Sequence, residues 1–419
     1  MPDNNYDFIE IGSSGLRRSG GYIDEEFLPQ LRGVKGFKVY REMRDNDPVV
    51  GAMLYAIDKV ITRLDWRIEG EDERTKVFVQ ECLDDMSDSF DSTLQNILSM
   101  LVYGWSYHEL VYKIRGGLTG DAKTNSRFND NRIGWRKWGV RAQETLQEWM
   151  IDVDGGIQGM IQMDPSGGGL HRIPVEKALL FRTTTNRNNP EGYSLLRNAY
   201  RPWFYKRRIE EIEAIGIERD LAGLPMAYVP PEYLSPSATS AQKAVLQSVT
   251  EIVQNIKRNE QEGVVFPAAY DSNGNRVFDL TLLSASGSRQ FDTGAVIQRY
   301  DQRITMTLLS DFLLLGSDRV GSFALGSTKV DLWTLAVDSI AKSIAEVINQ
   351  FAIPRLLKLN AMRTDRMPYL TYGSVSNVVL PEVADFVSKL VTAGVLTPDH
   401  GLESYLRDLA DLPEAEPVL

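Results

Sequence analysis

SLLRNAYRPWFYKRRIEEIEAIGIERDLAGLP, residues 194–225, is the stretch whose reading decides the fold. It reads as one long helix that starts near Ser194 or Pro202 and runs to Ala222, where Gly223 and Pro225 stop it. Pro202 either opens the helix at its first turn, where its missing N–H costs nothing, or kinks it. The charges are segregated. Arg197, Arg201, Lys206, Arg207 and Arg208 come with no acid among them, and Glu210, Glu211 and Glu213 follow. Such a band can pair with the acidic face of a neighbouring copy, meet phosphates, or simply be solvated.

Outward from this helix, residues 288–315 form a second long helix with a stripe of Ile297, Tyr300, Ile304, Leu308, Phe312 and Leu315. Between the two lies a compact mixed module. It has an extended Met226–Val229, a turn at Pro230-Pro231, a helix at 240–258, an extended 263–266 and a hairpin about Asn273-Gly274. The module can therefore sit at the tip of a helical pair. On the second helix Arg299 and Arg303 lie four apart, a like-charge pair costing a few tenths of a kcal/mol in isolation, with Asp301 available to offset it. Gly316, Gly321 and Gly326 then punctuate a loop of mixed polarity holding Asp318, Arg319, Ser322 and Phe323, with Lys329 just beyond. A third long helix carries Val330, Trp333, Val337, Ile344 and Phe351 and is expected to end before Pro354, a length of roughly 35 to 40 Å. Two short helices flank residues 394–398, and an acidic tail closes the chain.

The N-terminal thirty or so residues are polar and read as an extended arm. Residues 39–62 suit helical spacing, with a break at Asp47-Pro48. A strand at 65–69, helices at 73–86 and 92–103, and an aromatic-rich strand at 105–113 follow. The basic stretch 114–141 reads as loop. Trp149, Ile151 and Val153 alternate into a turn at 154–156, and residues 157–163 return as a hairpin ended by the cluster at 165–169. Residues 178–182 are a further strand. The fold class is thus mixed α+β and helix-rich.

The chain of 419 residues, 43% hydrophobic and 25% charged, is long enough for several lobes. With 46 basic against 57 acidic residues its net charge of −11 is the wrong sign for gripping phosphates over most of its surface. A single cysteine, Cys82, excludes an intrachain disulfide framework and a cysteine-based zinc site. No signal peptide or membrane-spanning run is read. No phosphate-binding loop or nucleophile elbow occurs. His108, His171 and His400 lack metal-ligand spacing and read as structural or surface residues, and Cys82 reads as a packing residue. The adjacent Asp84-Asp85 point to different helix faces and read as solvated charge. Catalytic, metal-binding and cofactor-binding residues are therefore expected to be absent.

In their order along the chain, residues 40–52 (YREMRDNDPVVGA), 101–112 (LVYGWSYHELVY), 192–197 (GYSLLR), 201–206 (RPWFYK), 223–225 (GLP) and 393–398 (AGVLTP) resemble the portal proteins of tailed phages, most closely the branch typified by phage Mu. The resemblance covers about residues 38 to 410. It implies a non-enzymatic subunit of a dodecameric ring, located in the virion at the capsid portal vertex after assembly in the host cytoplasm. It also implies a portal fold: an N-terminal arm (1–29), a wing (30–193 and 329–380), stem helices (194–222 and 288–315), a clip (223–287), a tunnel loop (316–328) and a small crown with its tail (381–419). Asp318, Arg319, Ser322, Phe323 and Lys329 would face DNA. Arg299, Arg303, Lys206, Arg207 and Arg208 would belong to the stem and channel, and Tyr233, Asn273 and Gly274 to the docking surface of the clip. The partners implied are large terminase, head-completion or adaptor proteins, major capsid and scaffold proteins, and double-stranded DNA passing through the channel, with no membrane. An acidic channel would let DNA slide. The rival readings are another virion connector or adaptor, and a metal-dependent nucleic-acid-processing enzyme, which would need an acidic cluster that the sequence does not show at close spacing.

Overall fold

The computed structural model describes residues 12–121, 123–222, 224–255, 270, 273–274, 276–283, 292–307, 323–375, 388–389, 403 and 407. In chain order the elements are β1 (Arg18–Ser19), β2 (Tyr22–Ile23), α1 (Gly33–Asn46), α2 (Pro48–Thr62), β3 (Trp66–Glu69), α3 (Glu73–Asp84), α4 (Phe90–Ile97), α5 (Ser99–Tyr103), β4 (Trp105–Gly116), β5 (Asn129–Arg141), β6 (Leu146–Ile151), β7 (Ile157–Met163), β8 (Leu170–Pro174) and β9 (Ala178–Arg182). Then come α6 (Tyr200–Ala222), β10 (Leu224–Tyr228), α7 (Ser240–Asn255), β11 (Asp279–Leu283), α8 (Thr293–Thr307), α9 (Phe323–Val347), α10 (Ile353–Leu359) and β12 (Tyr369–Tyr372). The class is mixed helix and sheet, as expected. Contacts divide the chain into two units, residues 1–200 with 304–419, and residues 201–303.

In the larger unit the break at residue 47 is a capped junction. Asp47 Oδ1 accepts from the N–H groups of Val49 (2.9 Å) and Val50 (3.0 Å), and Pro48 occupies the first helical position, where no N–H is needed. The core gathers Ile57 and Ile61 of α2, Phe78 and Cys82 of α3, Leu94 and Ile97 of α4, Leu110 of β4, Leu179 and Phe181 of β9, and Ile344, Ile348 and Leu356 from the C-terminal helices. Around it lie an antiparallel sheet of order β5-β4-β9, a second of order β6-β7-β8, and the pair β12-β3.

Four expectations are corrected. The stretch 114–141 is not all loop, because β5 occupies Asn129–Arg141 and pairs with β4. The register shifts between Val111 and Tyr112, so that Leu110 faces Trp138 while Tyr112 faces Trp135. This bulge puts both tryptophans on the buried face although they are three apart, which hides the period of two that marks a strand. Residues 165–169 do not end the hairpin unit but turn β7 into β8.

Pro354 does not end the third long helix. A π-helical turn at Ile348–Ala352 leads into α10, and Pro354 sits in that helix's first turn, where its lost donor is tolerated. Finally, α9 begins at Phe323, so residues 323–328 are helical rather than loop. Gly326 lies within it, and a glycine in a helix costs only about 1 kcal/mol against alanine. The expected helices around 394–398 fall outside the described residues.

Asp85 is not solvated either. It is buried with Lys113, Nζ to Oδ2 3.0 Å, and accepts from Ser126 Oγ (2.6 Å) and the Arg127 N–H (2.8 Å). Burial alone would raise its pKa, but the Arg127, Ser126 and Lys113 donors together hold it below the usual carboxylate range.

In the smaller unit, α6 starts at Tyr200 rather than Ser194. Ser194 Oγ instead accepts from the Leu196 N–H (3.1 Å) to open a 3-10 turn, and Pro202 lies in the first turn of α6, the less costly of its two expected places. β10 and β11 pair antiparallel, Leu224 opposite Leu283. Of the expected second helix, the described part is α8, whose Ala295 N–H is received by Asp292 Oδ1 (3.0 Å).

Candidate functional site

The helices α6 and α8 run antiparallel within the smaller unit, tied at three levels. Lys206 Nζ lies 2.6 Å from Asp301 Oδ1, the rings of Tyr205 and Tyr300 stack with centroids 6.4 Å apart, and Thr293 Oγ1 donates to Glu213. The charge segregation of α6 is used largely inside the helix. Lys206 lies 4.0 Å from Glu210 and Arg207 3.5 Å from Glu211, each an i,i+4 pair. Lys206 has only 3% of its side chain exposed, which corrects its expected place on a channel surface. Arg207 and Arg208 lie over the rings of Trp203 and Phe204, at 5.4 and 5.2 Å.

Arg299 and Arg303 are both exposed and flank one ring, Tyr300, at 5.6 and 5.8 Å from its centroid. The negative face of the phenol ring offsets their mutual repulsion, a contribution of about 0.5–1 kcal/mol each at exposed sites. This is a different neutraliser from the Asp301 that the sequence pointed to.

One feature of α6 was missed in the sequence. Tyr205, Ile212 and Ile215 are all exposed, Ile212 by 65%, and their spacing of seven and three residues sets them along one stripe of the helix. The signal was legible in principle, as apolar residues recurring on a helix otherwise dominated by charge.

In the module, Tyr233 packs its ring edge-on against the buried Phe278, centroids 5.3 Å apart. Asn273 and Gly274 are exposed, and Gly274 has φ +81 between the bridged Tyr270 and Arg276, which is the hairpin turn expected there. Tyr228, Leu234 and Tyr270 add exposed apolar surface. Of the residues expected to face DNA, Asp318, Arg319 and Ser322 lie outside the described residues, while Phe323 and Lys329 are on α9.

The other titratable candidates have structural surroundings. His108 is fully buried, with Nε2 2.8 Å from Ser106 Oγ, and burial pulls its pKa down to about 4. Burial pushes the Cys82 thiol up to about 12, far from a reactive thiolate. His171 is exposed, 3.6 Å from Asp164, and His400 lies outside the described residues. Among the described residues no group of three His, Cys, Asp or Glu is placed to hold a metal ion, and no helix is long and apolar enough to cross a membrane.

A family model described as the portal protein of Mu bacteriophage matches residues 37–409. The fold is similar to that of a chain in the neck of an empty gene transfer agent particle computed with C6 symmetry, at 12% identity and TM-score 0.54, covering 90% of this chain and 94% of that one. A chain of the native gene transfer agent virion matches with the same values. A chain of the native particle's neck, computed with C12 symmetry, matches at TM-score 0.53 with the same identity and coverage.

Proposed function

Because the chain belongs to the family of portal proteins of Mu bacteriophage, we propose that copies of it close into a ring in the virion, at one vertex of the capsid, around the channel through which double-stranded DNA is packaged and ejected. Twelve copies are proposed, the symmetry used for the neck of the fold-similar gene transfer agent particle. The observation that carries the reading is the antiparallel pair α6–α8 with its unpartnered stripe of Tyr205, Ile212 and Ile215. A 23-residue helix is about 35 Å long, and covering an isoleucine on it favours association by up to about 1.5–3 kcal/mol. A neighbouring copy is the partner that repeats around a ring.

In this reading α6 and α8 are the stem, with Arg299, Arg303, Arg207 and Arg208 on or near the channel. The module at 223–287 is the clip, offering Asn273 and Gly274 to large terminase and later to head-completion or adaptor proteins, with Tyr233 supporting that surface from inside. The larger unit is the wing that meets capsid and scaffold proteins, residues 316–328 approach the DNA, and 381–419 form a small crown. The subunit performs no chemistry of its own. Its work lies in ring symmetry, in an acidic chain that does not hold DNA fast, and in exchange of partners at one docking head.

The test is genetic. Capsids assembled in infected cells lacking this chain, but supplied with every other virion protein, should contain no packaged genome. Capsids holding full-length DNA in its absence would refute the proposal.

A further inference from the structure

The arm formed by residues 12–31 is seated on its own unit. The Trp149 N–H on the edge strand β6 donates to Gly21 O (2.9 Å), Gln147 Nε2 to Tyr22 Oη (3.0 Å) and Arg18 Nη2 to Asp152 O (3.2 Å). Gly21 is required there, because a Cβ at that position would lie 2.3 Å from Trp149 O. Three ion pairs add to the seat. Glu26 takes both Arg197 Nε and Arg197 Nη2 (2.8 Å), Glu25 lies 3.3 Å from Arg187, and Asp24 lies 3.3 Å from Arg32.

The arm covers a cavity of about 250 Å³ whose wall includes Glu25, Glu26, Arg32, Arg187, Arg197 and Glu191. Glu191 receives the Trp149 indole N–H (3.2 Å), so Trp149 touches the arm through its backbone and Glu191 through its ring. The arginines on this wall are engaged by acids of the arm. Counting Asp24, Glu25, Glu26 and Glu191 against Arg32, Arg187 and Arg197, four acids face three bases. The phenols of Tyr40, Tyr103 and Tyr193 also line the cavity. Burial keeps those of Tyr40 and Tyr103 protonated. A proton on Glu191 balances the count, and burial pushes that carboxyl up to about 7.

We propose that residues 12–27 are a strap whose seating is set by the charge of Glu191. With Glu191 neutral the strap is closed. When Glu191 ionises it competes with Glu25 and Glu26 for Arg187 and Arg197, the strap loosens, and the Trp149 N–H on the β6 edge is freed to pair with another segment. The sign follows from linkage. The closed state holds the Glu191 proton more tightly than an open, solvated state, whose pKa is near about 4.3, so rising pH favours opening. Between about pH 6 and about pH 8 the closed-to-open ratio falls about tenfold. This inference does not depend on the portal reading.

The experiment is hydrogen–deuterium exchange of peptides covering residues 12–31 in the full chain from about pH 6 to about pH 8, corrected for chemical exchange. Protection of the arm in the wild type is expected to fall about tenfold. In Glu191→Gln, which keeps the acceptor for Trp149, it should stay level. In Glu25→Gln, which frees Arg187 to stabilise ionised Glu191, the fall should move to lower pH. A level wild-type profile, or the same fall in Glu191→Gln as in wild type, would overturn the proposal. Should Glu191→Gln fail to fold, Glu25→Gln decides alone: a fall that stays in place or moves to higher pH overturns the proposal equally.

Discussion

His108 sits on β4 with no exposed surface, its ring set edge-on against Phe181 and its Nε2 beside Ser106 Oγ. Burial holds it neutral, with a pKa down to about 4 against the ordinary 6.5. As pH falls the unfolded chain therefore takes up a proton that the folded chain refuses. The stability His108 allows is complete above about pH 6.5 and is lost progressively toward pH 4, by about 3 kcal/mol in all. Urea unfolding at about pH 7 and about pH 4.5 should show His108→Gln losing about 3 kcal/mol less than wild type over that interval; equal losses would mean that His108 is charged in the fold. That His108 and Cys82 are structural was legible from the absence of partners at ligand spacing. The burial of Asp85 was not, because its partners Lys113, Ser126 and Arg127 are 28 to 42 residues away in sequence and reach it only through the fold.

Helices announced themselves where a local signal ends them, as at Asp47-Pro48, whose side chain caps α2 as the residue pair suggests. Strand β5 did not, since its bulge opposite Val111 and Tyr112 shifts Trp135 and Trp138 out of alternation. The π-helical turn before Pro354 was hidden for a related reason, because a proline rule describes a regular helix and the irregularity is what accommodates it. An edge strand also needs protection, and β5 receives it from a side chain. Asn360 Nδ2 donates to Ile133 O and Asn360 Oδ1 accepts from the Ile133 N–H, both at 2.8 Å, so one amide stands in for a further strand. Asn349 does the same for Leu370 of β12, at 2.9 and 2.6 Å. Asn360→Ala strands both groups of Ile133 and should destabilise the chain by about 1–3 kcal/mol. An unchanged urea midpoint would show that solvent satisfies them as well.

At the scale of the molecule, the two long helices and the module between them were readable from helix-stop residues at 223–225 and from the hairpin at 273–274. The uses of the charges were not. Lys206 is consumed by Asp301, and Arg299 and Arg303 share one ring, arrangements that need two helices side by side. What remains on the outside of α6 is apolar, and a ring gives it a partner. Ile212 is exposed in the subunit, so Ile212→Glu should change subunit stability by no more than about 0.5 kcal/mol while preventing closure, seen as a normal thermal melt with loss of the assembled species. Closure itself is the central claim. Native mass spectrometry with negative-stain class averages of the purified 47.2 kDa chain measures it directly. The account predicts a closed ring of about twelve copies around a central hole. A folded protein that stays monomeric at every concentration, alone and with its capsid and scaffold proteins, would contradict it.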